Sequence, residues 1–234
     1  KPLVASVWGS LGAGHMNEIM TDFIVRACAN PFFGLIHSTG KAWYKKMTET
    51  LEREKPGYEK LGMDVREYIY DMPLVMAAAD LVMCRAGAST LAELTAMGKP
   101  AVLIPSPNVT NNHQEKNARV LSEAGGAKLL LEPEFTADSL LGLVSELLHH
   151  PETLEDMSAK MRALGLPDAT NRIAGIVLGP KARRQSKAAS PHDNQIRLSR
   201  IVWHESADGG KKMSVWHVEG GNRLTGSVTV QGAK

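Results

Sequence analysis

The chain has 234 residues, 43% of them hydrophobic, and a formal net charge of +2, which is enough to bury a full core in one large domain or two modest ones. No stretch approaches the roughly 18 consecutive apolar residues of a membrane span, and the opening KPLVASVWGS lacks the charged, apolar and small-residue layout of a signal peptide, so a cytosolic location is expected. The two cysteines, Cys28 and Cys84, both sit in apolar patterns, which favours core packing in a reducing compartment over disulfides or a zinc site.

In chain order, PLVASVW (2–8) reads as a buried strand, and Met16, Ile19, Met20, Phe23, Ile24, Ala27 and Cys28 then keep helical spacing. Further strands are predicted at 33–38, 65–69, 80–84, 101–105 and 127–131. Helices are predicted between them at about 41–55, 73–79, 89–97, 112–124 and 137–149, and two more at 151–163 and 169–178. Strands this apolar, interleaved with helices, require a parallel sheet covered on both faces. The predicted fold class is therefore α/β, a doubly wound parallel sheet, over residues 1–180.

Beyond Pro180 the character changes. Residues 1–180 hold 17 basic and 21 acidic side chains, and residues 181–234 hold 10 and 4. The stretch 181–212 opens with KARRQSKAASPHDNQ, has no hydrophobic period and reads as a disordered linker. Its scattered Lys and Arg are those of a solvated segment rather than of a nucleic-acid or lipid contact. Residues 215–231 alternate weakly around Gly220-Gly221-Asn222, which predicts a short β-hairpin tail. Residue 1 is not Met and the pattern starts in mid-strand, so a fragment of a longer protein is expected.

Parallel α/β sheets bind ligands at the carboxyl ends of their strands, and three loops there carry chemistry. In WGSLGAGH (8–15), Gly9, Gly12 and Gly14 let backbone approach a bulky anion, Ser10 offers a hydroxyl, and the following helix offers free N–H groups. The spacing GxxGxG is not the dinucleotide fingerprint, and the second strand ends His37-Ser38-Thr39 without the expected acid, which argues against NAD. A tight turn with no ligand is the plainer alternative. In CRAGASTLAE (84–93), Gly87, Ala88, Ser89 and Thr90 stand where a helix should start, with Glu93 one turn in. Thr90 to Glu93 matches a capping box; alternatively the Glu93 carboxylate accepts from two vicinal hydroxyls of a ribose. Phosphate at the helix start and ribose one turn in describe a nucleotide. The third loop, PSPNVTNNHQEKNA (105–118), is rich in amides suited to sugar hydroxyls, although His113 and Gln114 also fit solvent-facing residues at a helix start. There is no DxD, HExxH or Cys/His cluster, so no metal or other cofactor is expected and phosphate charge falls to helix termini.

GSLGAGHMN, IHSTGK, DMPLVMAAADLVMCRAGASTLAE, GKPAVLIPSP, NHQEKNA and LPDATNRIA, in that order and spacing, resemble the C-terminal domain of the MurG family over about residues 1–178. These are bacterial UDP-N-acetylglucosamine:N-acetylmuramyl-(pentapeptide)-pyrophosphoryl-undecaprenol N-acetylglucosamine transferases. The resemblance implies the Rossmann-like C-terminal half of a GT-B fold and inverting transfer of N-acetylglucosamine from UDP to lipid I, giving lipid II for peptidoglycan at the inner face of the membrane. It implies that Ser10 contacts the diphosphate and that Ile69 meets uracil through its backbone. Ala88, Ser89, Thr90, Leu91, Ala92 and Glu93 would line phosphate and ribose, with Glu93 on the ribose hydroxyls, and Gln114 would contact the sugar. Two departures stand out. Trp8 replaces the family's leading glycine, which is expected to crowd backbone near the phosphate. The blocks match none of the N-terminal domain that in the family carries acceptor-binding loops, the membrane-contacting surface and the catalytic base, so no catalytic residue is assigned and donor binding without transfer is expected of these residues.

The tail HVEGGNRLTGSVTVQGAK (217–234) resembles the start of the UDP-N-acetylglucosamine 1-carboxyvinyltransferase family, in which Lys234 would be the remnant of a phosphoenolpyruvate site, and Met213 fits a start codon for it. A gene fusion or read-through is one account of the join. Two other readings of the body are a UDP-N-acetylglucosamine 2-epimerase, which shares the two-domain architecture, and a non-catalytic nucleotide-sugar-binding module.

Overall fold

The computed structural model describes residues 1–9, 13–177, 198–205, 211–219 and 222–224. They divide into two units, Lys1–Leu166 and Pro167–Lys234.

The first unit alternates strand and helix: β1 (Leu3–Val7), α1 (Gly14–Ala27), β2 (Gly34–Ser38), α2 (Lys41–Glu54), β3 (Met63–Arg66), α3 (Met72–Ala78), β4 (Leu81–Cys84), α4 (Ala88–Met97), β5 (Ala101–Leu103), α5 (His113–Glu123), β6 (Ala127–Leu129), α6 (Ala137–His149) and α7 (Pro151–Ala163). All six strands pair in parallel, in the order β3-β2-β1-β4-β5-β6. This is the doubly wound α/β arrangement that the sequence pattern predicts.

Successive side chains of a strand point to opposite faces, and here both faces are buried. Val4, Leu35, Met63, Val65, Leu81, Met83 and Val102 join Met20, Phe23 and Ile24 of α1, Leu51 of α2 and Leu140 and Val144 of α6 in one core. Ala5, Val7, Ile36, Val82, Cys84, Ala101 and Leu103 join Val75 of α3, Leu94 of α4 and Ala118 and Leu121 of α5 in the other. Burying one such Leu, Ile, Val or Phe side chain contributes about 1.5–3 kcal/mol, so a strand with two apolar faces is held from both sides.

One strand is displaced from its expected place. The strand predicted over 65–69 lies at Met63–Arg66, where Met63 pairs with Leu35 and Arg66 with Ser38. Beyond it the chain leaves the sheet, held by the carbonyls of Arg66 and Glu67, which accept from Thr39 N and Gly40 N at 3.0 Å each. Tyr68 and Ile69 therefore fall in a loop above the strand end instead of inside the strand.

The second unit holds α8 (Ala169–Val177) and an antiparallel sheet of β7 (Leu198–Glu205), β8 (Lys211–Glu219) and β9 (Asn222–Leu224). The predicted hairpin corresponds to β8 and β9, with Glu219 opposite Asn222. The stretch read as linker, 181–212, contains β7, which pairs with β8; its Ile201-Val202-Trp203 run has the β-branched and aromatic character of a strand. Lys234 and the linker's opening stretch lie outside the described residues.

Candidate functional site

The strand order reverses between β1 and β4, and open α/β sheets bind ligands at that switch point. A cleft of about 440 Å³ opens there, over the carboxyl ends of β1 to β5. Gly9, two residues past the end of β1, has φ 90° with nothing among the described residues within 4 Å of where a Cβ would stand, a backbone turn that L side chains rarely allow. Ser10, Leu11 and Gly12 lie outside the described residues.

Helix α4 supplies the floor. Its N-cap is Gly87 and no side chain caps it. The amides of Ala88, Ser89 and Thr90 precede the first intrahelical bond, Leu91 N to Gly87 O at 3.0 Å, which leaves donors and the positive end of the helix dipole at the cleft. The capping box read from Thr90 to Glu93 does not form, because the helix starts before Thr90 and Thr90 lies within its first turn. Gly87, Thr90 and Glu93 line the cleft. Ala88, Ser89 and Ala92 are exposed, whereas the Leu91 side chain turns into the core. Burial, and then the Glu93 carboxylate, push the Cys84 thiol up to about 12, so that sulfur beneath the helix stays protonated.

The other end of the cleft is apolar. Ile69 is buried and lines it beside Tyr68, Met72 and Met76. The Tyr68 and Tyr70 rings meet edge to face at 5.0 Å. Arg66 anchors this loop: its Nε and one terminal nitrogen donate to Asp64 at 3.0 and 2.7 Å, and its other terminal nitrogen reaches Asp71 at 3.4 Å.

Gln114 closes the side opposite α4. Its Oε1 accepts from the amide of Ser106 at 2.9 Å, and both residues line the cleft. The expected phosphate partners are helix termini, yet the structure adds a guanidinium that sequence reasoning missed. Arg85 lines the cleft, donates to the carbonyls of Ile104 and Pro105 at 3.1 and 3.2 Å, and forms an ion pair with Glu132. Forty-seven residues separate the two partners, so no local pattern announces them.

A buried polar chain links the ends of β1 and β2 to α1. Trp8 Nε1 donates to Ser6 Oγ at 3.0 Å, Ser6 Oγ stands 3.0 Å from His37 Nδ1, and His37 Nε2 stands 3.1 Å from Asn17 Oδ1. Asn17 Nδ2 donates to the Thr39 carbonyl at 2.9 Å. The bonds have one consistent direction: the Asn17 oxygen must accept, so His37 carries its proton on Nε2 and accepts the Ser6 hydroxyl at Nδ1. Burial pushes the His37 pKa down to about 3, in keeping with a neutral ring. Trp8 is 3% exposed and packs in the core with its N–H satisfied, and it also lines the cleft; the loop that it was expected to crowd falls at Ser10, Leu11 and Gly12, outside the described residues.

The structure thus gathers Ile69, Thr90, Glu93 and Gln114 around one cleft, with Ala88, Ser89 and Ala92 exposed on the same helix as Thr90 and Glu93. No helix among the described residues is long and apolar enough to cross a membrane.

Comparison with known proteins shows the family. The glycosyltransferase family 28 C-terminal domain matches residues 4–173. A UDP-N-acetylglucosamine--N-acetylmuramyl-(pentapeptide) pyrophosphoryl-undecaprenol N-acetylglucosamine transferase of Bacillus cytotoxicus is 44% identical over 169 residues, covering 72% of this chain and 45% of the relative. The chain therefore spans about half the length of the curated relatives it matches. The crystal structure of Acinetobacter baumannii MurG superposes with a TM-score of 0.65 at 27% identity, over 76% of this chain and 50% of that one. The S. aureus MnaA-UDP co-structure superposes at 0.57 over 82% of this chain and 49% of that one, but at 15% identity, so that likeness concerns the fold alone.

Proposed function

The chain belongs to the glycosyltransferase family 28 C-terminal domain family, and from that premise we propose that it is the donor-binding domain of a UDP-N-acetylglucosamine-dependent transferase that converts lipid I to lipid II in peptidoglycan synthesis. The observation that carries the reading is the cleft at the β1–β4 switch point, apolar at Ile69 and Met72 and polar at Gly87, Thr90, Glu93 and Gln114, in a chain 44% identical to a relative of that name.

In this reading uracil lies at the Ile69 end, where the peptide groups can answer its polar edge. The Glu93 carboxylate accepts from the ribose hydroxyls, and the diphosphate meets the bare amides at the start of α4, with Ser10 of the glycine-rich loop beside it. Gln114 faces the sugar. When an acceptor hydroxyl attacks the anomeric carbon from the opposite side, the bond to the diphosphate breaks and its growing negative charge falls on those amides, which stand fixed before the reaction begins. Neither a metal nor another cofactor is required for that step. Lipid I and the base that takes the hydroxyl proton belong to the remaining length of such relatives, and the enzyme works peripherally on the cytoplasmic face of the membrane. Lys234 has no part in it.

Calorimetric titration of the 234-residue chain with UDP-N-acetylglucosamine, against UDP-N-acetylgalactosamine and ADP, tests the proposal. Selective binding of the first is the expected result, and absence of binding by a folded sample would overturn it.

A further inference from the structure

Among the described residues that line the cleft, Arg85 is the one basic side chain and Glu93 the one acidic. Arg85 does not present a bare charge. One terminal nitrogen is spent on the carbonyls of Ile104 and Pro105, the other on Glu132, and the paired side chains are only 14% and 11% exposed. Glu132 itself stands outside the cleft wall, on the turn Glu132–Glu134 that follows β6. A carboxylate held against a guanidinium in so dry a place cancels most of its field a few ångströms away, and water screens little of what the pair does inside. With Arg85 neutralised and Glu93 ionised, the side chains of the cleft carry a net negative charge, although the proposed ligand is an anion.

We propose that Glu132, acting through Arg85, sets the anion affinity of the cleft and so favours release of the nucleoside diphosphate product over loss of the less charged nucleotide-sugar donor. The inference rests on the nucleotide-sugar reading above. A donor with both phosphates esterified carries about −2, whereas the diphosphate product, with a terminal monoester whose second pKa is about 6, carries nearly −3 near neutral pH. A positive charge added to the cleft wall therefore holds product more than donor, and Glu132 removes that charge while leaving the guanidinium in place to brace the loops after β4, β5 and β6. Glu132 is a positioning residue in this account, and its signature is a dependence on ligand charge, which a purely structural role does not produce.

The test uses Glu132→Gln in the full chain, which keeps an acceptor for Arg85 and deletes the charge. Affinities for uridine, UDP-N-acetylglucosamine and UDP are measured by calorimetry for both proteins. The expected gain is roughly twofold to threefold per unit of ligand charge, greatest for UDP and nil for uridine. Equal changes for all three ligands, or weaker UDP binding by a folded variant, would overturn the inference and leave the nucleotide reading standing. Failure of the unsubstituted, folded chain to bind any of the three would overturn both. Because a lone buried Arg85 can unfold the variant, the double variant Arg85→Gln/Glu132→Gln provides a second check, since replacing both partners leaves no unpaired charge. It is expected to keep the unsubstituted ratio of UDP to uridine affinity within about twofold; a larger fall would mean that the charge of Arg85 reaches the ligand unneutralised, and would overturn the inference.

Discussion

His37 Nδ1 lies 3.0 Å from Ser6 Oγ, side by side on β2 and β1, two of the strands whose ends open into the cleft. The ring has a folded pKa of about 3 and an ordinary unfolded value of about 6.5. Between those values the unfolded chain binds the proton that the folded one refuses. The stability contributed by the neutral ring is therefore complete above the unfolded value and declines as pH falls toward 3, by about 1.4 kcal/mol per pH unit within that window. Urea denaturation between pH 7 and 4 should show the decline, and His37→Phe should flatten part of it while lowering stability at pH 7 by about 2–4 kcal/mol, since Ser6 and Asn17 lose their partner. An unchanged pH profile in the variant would contradict the assignment.

Glu93→Ala separates ligand recognition from helix capping. Because Gly87 caps α4 and Glu93 does not, thermal stability should move by less than about 0.5 kcal/mol, as for an ordinary surface substitution. Affinity for UDP-N-acetylglucosamine should fall by about 1.5–3 kcal/mol, or roughly 10- to 150-fold, if the carboxylate holds ribose hydroxyls. Calorimetry and a melting curve on the same sample give both readings.

Trp8→Phe keeps the aromatic body in the core and deletes the N–H that reaches Ser6. A loss of about 1 kcal/mol is expected. Trp8→Gly, which restores a small residue before Gly9, should cost about 3–5 kcal/mol from the emptied core site. Chemical denaturation ranks the two. A Gly variant as stable as the parent would place the indole outside the core.

Gly14→Ala tests a close approach. A Cβ on Gly14 would stand 2.6 Å from the Trp43 ring of α2, too near for any real contact, so the ring must move. Overpacking of this kind costs about 1–3 kcal/mol. The displaced indole, which now lies under the Lys46 ammonium at 4.4 Å, should report the change as a shifted tryptophan emission.

Much of the fold was legible because each central strand is apolar on both faces, a pattern that leaves a parallel sheet as its outlet. Glu93 and Gln114 were singled out as polar side chains in loops at strand ends, and both line the cleft; Ile69, which lines it too, was named only through the family resemblance. What escaped was non-local. Arg85 drew no reading at all, because its meaning depends on Glu132 and on the carbonyls of Ile104 and Pro105. The capping box in Thr90 to Glu93 was a true string in the wrong place, because Gly87 had already started the helix. The β3 strand was set two residues late because Tyr68 and Ile69 have strand character but serve the cleft, with Ile69 buried there instead of in the sheet.

The pairing of β1 with β4 has a consequence in time. Leu3 and Asp80, 77 residues apart, lock the middle of the sheet through Leu3 N to Asp80 Oδ2 at 2.7 Å and Asp80 N to Leu3 O at 2.8 Å. Closing a loop of that length costs about 4 kcal/mol in chain entropy before a single contact repays it. At about 5–20 residues per second of synthesis, the LVASV strand waits roughly 4–15 seconds for its neighbour to exist. β2 covers one of its edges early; the other, apolar and without a charge in its five residues, stands open to any strand that arrives first. The same reversal of strand order that creates the cleft thus obliges the nascent chain to guard its own centre until residue 84 has emerged.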